Sequence, residues 1–167
     1  MKKTFLLLAL VCVLVLLAAC GSKPAPTEPA PTEPTSSRDL QMLYQSGITA
    51  MGTEAPVLFP VSDISELSPL FPGLKEISFR QVSGGLSPVT GAPDEVVLLE
   101  VENSADVQKV VDILQKAVDE GAVESEGTDE AITAAWKDNA SITTDGNYIC
   151  LAVFMNGVSI PAEFMLP

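Results

Sequence analysis

The chain is 167 residues long, with 9 basic and 22 acidic residues, no histidine and a net charge of −13. So negative a surface repels nucleic-acid phosphates and anionic lipid headgroups, which excludes nucleic acid as a partner. Without an imidazole, the His-dependent serine, cysteine and zinc sites are excluded too, and most hydrolase chemistries go with them.

The first 19 residues read as a leader. Met1-Lys2-Lys3 supplies two positive charges, and an apolar run follows from Phe5 to Ala19. That run is shorter than the roughly 20 apolar residues of a transmembrane helix and has the form of a signal-peptide core. It ends in Leu17-Ala18-Ala19-Cys20-Gly21, which resembles the bacterial lipobox. The resemblance implies cleavage before Cys20, a diacylglycerol on its thiol, and palmitate as a further acyl chain. Each buried methylene contributes about 0.8 kcal/mol, so two or three chains hold a protein that one would release. Cys20 is therefore the expected lipid-attachment residue, on the extracytoplasmic face of the cell membrane. Without the leader the chain keeps seven basic residues against 22 acidic ones, a net charge of −15.

Residues 20–37 follow as a linker. They contain the unit Ala-Pro-Thr-Glu-Pro twice in succession, and prolines at that density favour polyproline II. At about 3.1 Å per residue such a spacer reaches about 50 Å, enough to lift a domain clear of the headgroups. Residues 38–167 are one domain's worth of chain.

In chain order, the domain opens with a predicted helix over residues 38–44, and residues 62–70 add a further helical turn. Residues 76–82 alternate Ile77 and Phe79 with Ser78 and Arg80, a strand pattern. The connection over residues 83–93 is rich in glycine and proline. It is expected to be irregular, the most mobile loop of the domain and the preferred place for recognition. Residues 95–101 (EVVLLEV) are β-branched and apolar, a strand buried on both faces that pairs with residues 76–82 as a hairpin.

The clearest element is a helix over residues 105–120, with Val107, Val110, Val111, Leu114, Ala117 and Val118 on one face. Asn103 or Ser104 caps it, and Gly121 gives it a left-handed exit. Asp119, Glu120, Glu124, Glu126, Asp129 and Glu130 then cluster but lack the Asp-x-Asp-x-Asp-Gly order that wraps calcium. They read as a solvated loop, with weak cation binding as the alternative. A second helix is predicted over residues 128–136.

The last third carries the strongest β signal. Residues 141–144 meet Asp145-Gly146, a favoured hairpin turn, and residues 147–155 form a central strand. Asn156-Gly157 turns the chain again, and residues 158–164 alternate as a third strand that Pro161 confines to a sheet edge. The sum is α+β: a small antiparallel sheet with a C-terminal meander packed against one main amphipathic helix.

Of the three cysteines, Cys12 leaves with the leader and Cys20 is acylated, so Cys150 stands alone in an apolar strand as a small hydrophobe. Trp136 and Tyr148 are expected to cover the open end of the sheet, with a contact surface formed with Lys137 as the alternative.

The strand ending Glu100-Val101-Glu102, the helix over residues 104–119 and the Gly146-Asn147-Tyr148-Ile149 hairpin carry a family likeness. Over residues 56–164 the chain resembles the bacterial lipoprotein domain catalogued as domain of unknown function number 4358. Members carry an aromatic segment between helix and hairpin, where this chain has Trp136. The resemblance implies a lipoprotein address and a fold, and no activity.

Neither a nucleophile elbow nor a phosphate-binding or dinucleotide glycine motif is present. No cofactor and no catalytic or metal residue is expected. The reading is a membrane-anchored, non-catalytic interaction module with an envelope protein as partner. The alternative is a cell-wall enzyme that works with carboxylates alone.

Overall fold

The computed structural model describes residues 38–89, 92–121, 130–155 and 158–166. The leader, Cys20 and the linker lie outside the described residues, as do residues 122–129, which hold most of the acidic stretch.

Five strands make one antiparallel sheet: Phe59–Val61 (β1), Phe79–Leu86 (β2), Glu95–Val101 (β3), Ser141–Asp145 (β4) and Tyr148–Val153 (β5), in the order β1-β2-β3-β5-β4. Among the described residues four α-helices accompany them: Leu40–Met51 (α1), Ile64–Leu67 (α2), Val107–Glu120 (α3) and Glu130–Asn139 (α4). The class is α+β.

Every residue of β3 and β5 is buried, because both faces of the sheet are covered. Successive side chains of a strand point to opposite faces. On one face Val97, Leu99, Val101, Ile149, Leu151 and Val153 join Val110, Leu114 and Val118 of α3 and Trp136 of α4. On the other, Val96, Leu98, Tyr148, Cys150 and Ala152 join Leu40 and Met51 of α1 and Phe164. The sequence shows one principal helix; the second cover is α1 with the C-terminal segment. This two-sided burial is why the two central strands read as unbroken apolar runs instead of alternating.

Helix α3 follows its periodicity. Asn103 is the residue that caps, its side chain accepting from the Ala105 amide at 3.0 Å, and a 3-10 turn over Ser104–Asp106 leads in. Gly121, at φ 72°, turns its N–H back to the carbonyls of Ala117 and Val118. Helix α1 runs seven residues beyond the 38–44 expected, continuing through Gly47 to Met51 and stopping at Gly52. Short α2 carries a capping box, Asp63 with Glu66. Helix α4 extends the 128–136 expectation to Asn139, while Thr128 and Asp129 lie outside the described residues.

Residues 83–93 are not one irregular loop, and this corrects the sequence reading. Strand β2 continues through Ser83, Gly84, Gly85 and Leu86, pairing Gly84 with Val97 and Gly85 with Val96 on one side, and both with β1 on the other. The glycines serve clearance, not looseness. A Cβ on Gly84 would strike the Val96 carbonyl oxygen, and one on Gly85 would strike the Tyr44 hydroxyl. Strand β2 also begins three residues later than expected, since Leu74–Glu76 closes a 3-10 turn.

The third strand of the meander is also corrected. Residues 158–161 have no regular structure and Ala162–Phe164 form a 3-10 turn, so the edges are β1 and β4. Side-chain interactions set this path. Thr143 Oγ1 donates to the Phe164 carbonyl and accepts from the Leu166 amide, both at 3.2 Å, while Phe164 packs into the α1 face of the core. The segment therefore crosses over that face instead of laddering beside β4. The sheet's proline is Pro60, in edge strand β1.

The hairpin turn sits one residue later than expected, with Gly146 and Asn147 at its centre and Asp145 opposite Tyr148. Gly146 takes φ 57°, as such turns require. Asn147 is held to β3 twice: its carbonyl accepts from the Val101 amide at 3.0 Å, and its side-chain amide donates to the Val101 carbonyl at 3.1 Å.

Candidate functional site

Beside Arg38, four polar residues stand in one row across the sheet. Gln81 on β2 pairs with Glu100 on β3, Glu100 with Tyr148 on β5, and Tyr148 with Asp145 on β4. A register shift between Phe79 and Gln81 brings Gln81 into that row. Because the residues are directly opposed, their side chains share the α1 face.

Arg38 closes over the row. Its backbone N–H donates to the Tyr148 hydroxyl at 2.8 Å, its carbonyl accepts from Gln81 Nε2 at 2.7 Å, and its guanidinium pairs with Asp145 and lies 5.3 Å from the centre of the Tyr148 ring. Gln81 Oε1 accepts from the Leu40 amide at 3.1 Å, while its Nε2 also donates to Glu100 Oε2 at 2.6 Å. One glutamine side chain thus holds the first turn of α1 and a carboxylate that is only 1% exposed. The other Glu100 oxygen has Arg80 at 3.8 Å and no hydrogen bond, and Arg38 Nη1 is buried without a protein partner. The arrangement is a clasp. It fixes Arg38 to the sheet.

The opposite end of the sheet carries a different chemistry. Val57, Phe59 and Val89 are 78%, 61% and 62% exposed around the pairing of Phe59 with Leu86. Glu95, the first residue of β3 and opposite Val153, is 2% exposed with Oε2 unpartnered. Burial, and then the neighbouring Asp94 carboxylate, push its pKa up to about 8. Asp94 itself accepts from the Met155 amide at 2.8 Å.

Glu95 and Glu100 are five residues apart on one strand and point to opposite faces, so they do not share a cleft. One groove of about 440 Å3 lies between α1 and Glu163, and one of about 230 Å3 lies beside Asp63 and Arg80. Neither contains a buried carboxylate pair. Among the described residues, no three histidine, cysteine, aspartate or glutamate side chains converge to hold a metal. Of the acidic stretch, Asp119, Glu120 and Glu130 are described, and all three are exposed.

Cys20 lies outside the described residues, so its acylation stays a reading of the sequence. Trp136 and Tyr148 are both buried and are covered on opposite faces, and neither forms an open surface with the exposed Lys137. Burial raises the Cys150 thiol to about 12, which leaves it an inert hydrophobe at neutral pH. The clasp and Glu95 were missed in the sequence. The available signal was a glutamate at each end of an otherwise apolar strand, since carboxylates in a doubly buried strand must find partners or stay protonated. Among the described residues no helix is long and apolar enough to cross a membrane. No family profile, no curated protein and no solved structure matches this chain.

Proposed function

We propose that the chain is a lipoprotein precursor, anchored through acylated Cys20 on the extracytoplasmic face of the membrane, whose domain is a non-catalytic interaction module for an envelope protein. The anchor rests on Leu17-Ala18-Ala19-Cys20 after a short apolar core. The observation carrying the binding role is the exposure of Val57, Phe59 and Val89, at the end of the sheet remote from Arg38. Of the five large apolar side chains exposed among the described residues, Met42 lies on α1 and Met165 near the C-terminus, and the other three gather here; such a gathering is a feature of contact surfaces, and a tethered domain meets partners most freely at its far end. The negative charge favours a basic partner.

Two measurements test this reading. Cys20→Ala moves the protein from the detergent phase to the aqueous phase on partitioning; retention in detergent removes the lipid anchor. A photo-crosslinker at Val57 captures an envelope protein in intact cells, whereas one at exposed Gln115 on α3 does not. Equal capture from both positions, or none from either, removes the binding surface.

The second reading, a carboxylate-dependent enzyme acting on cell-wall material, draws on the raised proton affinity of Glu95, the state a general acid needs. It lacks the second carboxylate, since Asp94 is tied to Met155 and Glu100 faces the other side of the sheet. Release of cell-wall fragments by the purified protein, lost in Glu95→Gln, would bring it forward; no release removes it.

A further inference from the structure

Glu95 is a buried titratable group that the clasp and the binding surface leave unused, and it stands at the seam between β3 and the connection to β2. Its side chain points to the α3 face, where the core side chains Val97, Val153, Ala117, Val118 and Trp136 carry no charge. The titratable residues on the nearby helical turns, Lys116, Asp119, Glu120, Glu130 and Lys137, are all exposed. Paired strand residues Val153 and Ala152 carry no charge, nor does Leu86 at the end of β2. Residues 90–91, 122–129 and 156–157 contain no lysine or arginine, only the acids Glu124, Glu126 and Asp129. Among the described residues no cation forms an ion pair with the Glu95 carboxylate. Its adjacent charge is the like charge of Asp94, whose other task is to hold the Met155 amide beyond the end of β5.

We propose that Glu95 is a protonation latch on the tether-distal end of the domain. Protonated, it lies in the apolar layer as a neutral side chain, and the β3–β5 end stays closed under the Asp94–Met155 hydrogen bond. Ionised, it has neither a counter-charge nor a hydrogen bond for Oε2, so the end of β3 opens toward water. Ionisation releases one proton to solvent and breaks no covalent bond. The device responds to alkaline surroundings.

The test is hydrogen exchange of the full chain in detergent micelles, read as the ratio of wild type to Glu95→Gln at each pH so that the intrinsic exchange rate cancels. Relative protection at the Val96 and Met155 amides falls by up to about tenfold per pH unit from pH 5 to pH 8 and then levels. The Val101 and Glu102 amides at the clasp end, which donate to the Asn147 and Ser78 carbonyls, keep a constant ratio. A constant ratio at all four amides overturns the latch, and so does an equal fall at both ends. Should Glu95→Gln fail to fold, Asp94→Asn replaces it. Its amide oxygen still accepts from Met155 while the like charge is gone, so Glu95 ionises at lower pH and the fall in protection levels off at lower pH than in wild type; an unchanged levelling point overturns the proposal.

Discussion

Gly47, in the middle of α1, is the floor on which the Phe164 ring rests: a Cβ at Gly47 would strike that ring's Cζ. A glycine within a helix costs up to about 1 kcal/mol relative to alanine. The cost here is offset by a fully buried phenylalanine that brings the C-terminal segment onto the sheet.

Gly47→Ala is therefore destabilising despite its better helix propensity, by about 1–3 kcal/mol from overpacking. Phe164→Ala costs about 3–5 kcal/mol. The double variant costs less than the two together, because each change removes the reason for the other. Urea unfolding of the four proteins checks this, and strict additivity contradicts the contact.

Gln81→Leu removes the side chain that joins Arg38, Leu40 and Glu100. A buried carboxylate stripped of its hydrogen bond costs about 3 kcal/mol. The larger effect is local, since α1 loses its tie to β2 and cleavage by trypsin after Arg38 accelerates. Unchanged cleavage would show that the clasp does not hold the entry of the linker.

The pH dependence of global stability has a definite sign. Glu95 in the folded domain keeps its proton up to about pH 8, whereas in the unfolded chain it ionises in the ordinary carboxylate range, so the folded state binds more protons in between. Its contribution is fully present below the unfolded pKa and is lost as pH rises toward 8, at up to about 1.4 kcal/mol per pH unit. Urea midpoints for wild type fall across that window relative to Glu95→Gln, and parallel curves would show that Glu95 is solvated.

Cys150 is buried with a thiol raised to about 12. Labelling by a thiol reagent at pH 8 follows the rate of domain opening and not the reagent's intrinsic rate. Cys150→Ser places a hydroxyl in the α1 face of the core and destabilises by about 1–3 kcal/mol. Fast labelling of the folded protein contradicts its placement between Leu98 and Thr143.

Helix α3, strands β3 and β5 and the α+β class were determined by the sequence alone, because hydrophobic periodicity, Asn103 and Gly121 act within a few residues of one another. The Leu17-Ala18-Ala19-Cys20 run on which the proposed anchor rests is likewise a local pattern, independent of the fold. Only the tertiary structure decided the rest. Gly84-Gly85 resembles a loop until Val96 and Tyr44 come within reach, and residues 158–164 alternate like a strand until Phe164 finds Gly47 and Thr143 takes the nearby backbone groups. Gln81 and Glu100 meet across a register shift, and Glu95 gains its proton affinity from burial. These outcomes depend on contacts between distant parts of the chain and on desolvation, neither of which is encoded in the spacing of neighbours along it.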